Sequence, residues 1–197
     1  MDAIELYEQK LHQTINSILG INGVLEKNHY SNTQTDILQA WLIGFYINDY
    51  EKYLLKHLLP FDRKNLQITT YLVTEGMNNI SVEMLSQYKS LFNKYSALLS
   101  FLPENKQPTI YSPIQPKLGL SISTLFAHLE IGHFLILSKI MSSIKTAFYE
   151  IIIIEQKWSV QDFQHFINHF YFEQNGPEFD LEEAIENMAQ DLYQKVI

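Results

Sequence analysis

The sequence predicts an all-α fold, a single domain over residues 1–197, and three observations predict it. Apolar residues recur at helical spacing in nearly every long segment. Those segments open at Ser, Thr, Asn or Asp and close at Gly or Pro, and no run alternates with the period of two that a half-buried strand needs. A 197-residue chain folding as one domain buries roughly 70% of the surface its unfolded form exposes, so its core needs no staples.

The first element follows from Ile4, Leu11, Ile15, Ile18 and Leu19, which share one helical face, with Gly20 and Gly23 ending the segment. The second opens on a choice of caps (Ser31, Asn32, Thr33, Thr35) and runs to Pro60, which stops it. A further helix follows Asp62. Another begins at Ser81, with Met84 where a full capping box would have Glu or Gln, and ends at Pro103. Residues 103–117 hold four of the six prolines and form a non-helical connection between two halves of the fold. The run "TLFAHLEIGHFLILSKI", capped at Ser121 or Ser123, reads as one apolar helix. In "AFYEIIIIEQKW" the isoleucines favour a strand, but a lone strand has no partner, so this stretch too reads as helix. "WSVQDFQHFINHFYFEQ", a turn at Asn175, Gly176 and Pro177, and a last helix capped at Asp180 with acidic residues in its first turn complete the chain.

Composition removes several functions. There is no cysteine, hence no disulfide, thiolate metal site or cysteine nucleophile. The net charge of −8 and a single arginine, Arg63, argue against binding a phosphate backbone, so no nucleic-acid partner is expected. The longest apolar stretch is broken by glutamates well short of the roughly 20 residues a bilayer requires. No membrane partner is expected, and with no secretory signal at the start a cytoplasmic location is. Twelve Tyr and twelve Phe suit a bulky helical core or a pocket for a flat ligand.

Three polar groupings stand out. Glu130 and His133 have the Glu-x-x-His spacing by which di-iron bundles place a carboxylate and an imidazole on one face. Asp162, His165 and His169 form a second stripe. A di-iron oxygenase using Glu130, His133, Asp162 and His165 also needs bridging carboxylates, for which Glu51, Glu75, Glu150 and Glu155 are available but not selected by spacing. The commoner reading of both groups is polar residues on the wet faces of amphipathic helices. A Ser-His-Asp hydrolase has no Gly-x-Ser-x-Gly elbow to start from. The third grouping is His12, set among Leu11, Ile15, Ile18 and Leu19. It is either a core histidine bonded to a carbonyl or the axial ligand of a heme iron, with Asn16 one turn on to accept the other ring N–H.

"LHQTINSIL" resembles the proximal-helix segment of bacterial heme oxygenases, all-α proteins of about this length. The likeness continues in order: "ILQAWLIGFYINDYEKYLLKHL" resembles the long second helix, "SISTLFAHLEIGHFLILSKI" the distal helix, "KWSVQDFQHFI" the Trp-x-x-x-Phe helix and "DLEEAIENMAQDLYQKVI" the closing one. The resemblance implies a heme-oxygenase-like helical bundle that binds heme through His12, supported by Asn16. Its distal wall would come from Glu130, Gly132, His133 and Leu135, with Gly132 as the catalytic position where a backbone without Cβ approaches the iron-bound oxygen. It further implies cleavage of heme to biliverdin, carbon monoxide and iron, with electrons from a ferredoxin or reductase. Lys10, Lys139, Lys145 and Tyr149 are candidates for the propionates by chemistry alone. The chain departs from the family where a second small residue is usual: it has Phe134, Leu135 and Ile136 there. Two expectations follow, slow or absent turnover, or a catalytically silent protein that binds a protein partner or regulates through its acidic surface.

Overall fold

The computed structural model describes residues 30–57, 80–102 and 119–169, with Gln9 and Gln13 as isolated positions. The described residues form six α-helices and one 3-10 helix, with no strand. The chain divides into two compact units, Met1–Gln107 and Pro108–Ile197, and the division falls inside the proline-rich connection. Gln9 and Gln13 are helical and exposed; the rest of the helix expected over 4–19 lies outside the described residues.

In the first unit, α1 (Asn32–His57) is 26 residues long. Of its four candidate caps Ser31 is used: its Oγ accepts from the Gln34 N–H at 3.3 Å, and its own N–H donates to Gln34 Oε1 at 3.0 Å. That is a capping box with Gln at the third helical position. Helix α2 (Val82–Lys94) starts on Ser81, whose Oγ accepts from the Met84 N–H at 3.1 Å. The two helices pack closely at Gly44. A Cβ built there would lie 2.5 Å from the carbonyl carbon of Tyr88, nearer still to its oxygen, and 3.0 Å from the Lys89 nitrogen. The Lys89 ammonium pairs with Glu51, two turns beyond Gly44 on the same face of α1. Between the helices, Trp41 stacks on Phe45 and meets Phe92 edge-on, with ring centroids 6.2 and 5.2 Å apart.

The helix expected to reach Pro103 stops early. At Tyr95 the backbone leaves helical angles, and a 3-10 helix (Ser96–Phe101) follows. The Tyr95 carbonyl accepts from the Leu98 N–H at 3.0 Å and from Trp41 Nε1 at 2.9 Å, so both of its lone pairs are used by the tighter turn and by a side chain 54 residues away. Leu102 is extended, as the residue before a proline should be.

The second unit holds α3 (Ile122–His128), α4 (Ile131–Ser138), α5 (Ser143–Gln156) and α6 (Val160–His169). Ser121, not Ser123, caps α3, accepting from the Thr124 N–H at 3.1 Å. The isoleucine run is helical, within α5, where Ile151 and Ile153 are buried. Helix α5 ends on Lys157, the one non-glycine residue with positive φ among those described, at 52°. Ser159 and Asp162 then cap α6 reciprocally: Ser159 N–H donates to Asp162 Oδ2 at 3.0 Å and Asp162 N–H to Ser159 Oγ at 3.2 Å. Both α5 and α6 pack against α4.

One expectation is corrected here. The run 124–140 is not a single helix, because Leu129 and Glu130 are extended and separate α3 from α4. A continuous helix would send the Glu130 N–H to the Phe126 carbonyl; it goes instead to Nδ1 of His133 at 3.1 Å.

Candidate functional site

The joint between α3 and α4 gathers most of the residues singled out on the apolar run. Leu129 is 2% exposed and anchors the extended link in the core, while His128 and Glu130 on either side of it face solvent. Glu130 and His133 form a capping box at the start of α4, with an imidazole in the place usually taken by Glu or Gln. The Glu-x-x-His spacing therefore closes a helix end. It brings a carboxylate and an imidazole to one turn, and the imidazole nitrogen nearer the cap is already occupied.

His133 is 2% exposed and its ring lies 6.2 Å from that of Phe163 on α6. Because Nδ1 accepts a hydrogen bond, the neutral ring carries its proton on Nε2. That nitrogen is buried and makes no well-formed hydrogen bond, although the carbonyls of Ser159 and Trp158 come near enough to act on the ring. Burial pushes the ring's pKa below its ordinary 6.5, against the opposing pull of the Ser159 carbonyl, the Glu130 charge and the Trp158 carbonyl.

Gly132 sits where α4 crosses α6. A Cβ built on it would lie 2.6 and 2.8 Å from the two methyls of Val160. The missing side chain thus lets two helices approach, and the open face of the glycine is filled by a valine. Leu135 is half-buried, Phe134 fully buried. Gly132→Ala should lower stability by about 1–2 kcal/mol, since the valine is stiff at χ1 and overpacking outweighs the gain in helix propensity. In a Val160→Ala background the same change should be neutral or stabilising. Urea denaturation of the four proteins of that cycle measures the coupling, and equal effects in both backgrounds would refute the contact.

The other candidates scatter. His12, Asn16 and Lys10 lie outside the described residues, as does the side chain of His169. Asp162 is bonded to the Ser159 hydroxyl at 2.6 Å, and the bonds from that residue's hydroxyl and N–H hold its carboxyl below the usual range. His165 is exposed. The set Glu130, His133, Asp162 and His165 is not brought together, and among the described residues no three His, Asp or Glu side chains converge on a point that could hold a metal ion. Lys139 is exposed and Lys145 half-buried. Tyr149 is buried, its ring 5.7 Å from Phe163 and 6.3 Å from Phe166. No described helix is long and apolar enough to cross a membrane.

Sequence reasoning did not find Val160 or Phe163 as neighbours of this joint. Both contacts are tertiary, and nothing local to "WSVQDF" announces them. The chain matches no protein-family model, no curated protein and no solved structure.

Proposed function

We propose that this protein is a helical binding protein of heme-oxygenase type in which oxygenase chemistry is silent, with heme as the ligand that His12 and Asn16 would hold. The binding half rests on sequence: His12 is set among Leu11, Ile15, Ile18 and Leu19, with Asn16 four positions on, and the later segments resemble those of heme oxygenases in their order. The silent half rests on one observation, the filling of the Gly132 face by the Val160 methyls. A distal wall needs that face open so that backbone can approach a ligand on the iron. Here the residues present do not fit that task. Heme, where bound, would supply the redox chemistry; His12 would supply an axial nitrogen and Asn16 an orienting amide.

Purified protein titrated with hemin should show a saturable Soret shift that His12→Ala largely abolishes. With reductant and catalase present, the loaded wild type should form little or no biliverdin. No saturable shift, or an unchanged spectrum and affinity in His12→Ala, would remove the heme reading; rapid biliverdin formation would remove the silent one.

A further inference from the structure

The capping bond at the α3–α4 joint exists only in one protonation state. A neutral imidazole can accept the Glu130 N–H at Nδ1, as it does at 3.1 Å. A protonated one carries N–H on both nitrogens and meets that donor with another donor. We propose that His133 is a proton-sensitive clasp for this joint: neutral, it closes the start of α4; protonated by solvent, it releases the Glu130 N–H and loosens α4 from α6.

The surroundings make the second state hard to accommodate. The ring is 2% exposed and set beside Phe163. Neighbouring Gly132 is closed against Val160, so the ring cannot be relieved by a small shift of α4 toward α6. The titratable groups on the packed helices are Lys145, Tyr149, Glu150 and Glu155 of α5 and Asp162, His165 and His169 of α6, the side chain of His169 lying outside the described residues. Among the described residues, Glu130 on its own turn is the charged group that acts on the ring, joined by the carbonyls of Ser159 and Trp158, and burial outweighs all three. Because Glu130 and the preceding His128 are exposed, the joint lies within reach of solvent protons.

The sign follows from linkage. The folded protein holds the ring neutral below the pH at which an unfolded histidine, near 6.5, would take up a proton. The clasp's contribution is therefore complete above about 6.5 and is lost as pH falls from there through the depressed folded value. This inference concerns the joint alone and does not depend on heme binding.

Two measurements test it on the full-length chain. Nitrogen NMR of the wild type at about pH 7.5, above the ordinary histidine range, should show His133 with unprotonated Nδ1 and protonated Nε2. Amide exchange expressed as protection factors should then show residues 130–134 losing protection several-fold more than the rest of α4 and α5 as pH is lowered to about 5.5, below that range. His133→Gln can accept the same N–H without titrating, so its protection at 130–134 should stay flat over that interval. A neutral ring with its proton on Nδ1 would overturn the proposal, and so would the same pH response in wild type and His133→Gln.

Discussion

Gly44→Ala should destabilise the protein by about 2–4 kcal/mol, among the larger effects a single methyl group can have. In most helices this exchange is favourable by about 1 kcal/mol, because alanine is the better helix former. Here the new Cβ would meet the backbone of Tyr88 and Lys89, at 2.5 Å from a carbonyl carbon and 3.0 Å from an amide nitrogen. Backbone inside a helix cannot rotate away as a side-chain terminus can. Helices α1 and α2 would have to separate, which loosens the packing of Trp41, Phe45 and Phe92 between them and stretches the pair between Lys89 and Glu51. That ion pair is partly exposed and its loss matters little; the aromatic packing carries the cost. Urea denaturation followed by circular dichroism measures it, and a change within about 0.5 kcal/mol of zero, the scatter expected of a surface substitution, would show that the approach at Gly44 is not as close as described.

The elements that could be read from sequence are those set by local chemistry. Ser31 and Ser81 are caps because a short hydroxyl can reach an N–H two or three residues ahead, and both do. The isoleucine run was legible as helix for a topological reason, the lack of any strand to pair with, in spite of its β-branched composition. What escaped are the two places where a helix stops inside an apolar run. Glutamate is not a favoured N-cap and histidine is not the usual residue three positions on, so the Glu130–His133 box carries no familiar signature. The break at Tyr95 depends on an indole from another helix, which no window of adjacent residues contains. The same limit applies to the candidate site. Gly132 was expected to let backbone approach a ligand on a heme iron, but a glycine records only that something comes near, not what, and here Val160 does. Spacing likewise places Glu130 and His133 together without revealing that Nδ1 of His133 is spent on the Glu130 backbone N–H.

Trp41→Ala should cost about 3–5 kcal/mol, the range for truncating a large buried aromatic side chain. The indole is 1% exposed and does two separable things. It fills the space between α1 and α2, against Phe45 and Phe92. It also donates Nε1–H to the Tyr95 carbonyl at 2.9 Å, where α2 gives way to the 3-10 helix. Trp41→Phe separates the two, keeping a ring in the core but removing the donor. The Tyr95 carbonyl would still accept from the Leu98 N–H, so it would not be orphaned, and the loss should be about 1–2 kcal/mol, from one net hydrogen bond and a smaller ring. Trp158 remains as a fluorophore in both variants. If packing dominates, Trp41→Ala should cost at least twice what Trp41→Phe does. If the two cost the same, the bond to Tyr95 is what the tryptophan contributes, and the 3-10 helix should lose its amide protection equally in both.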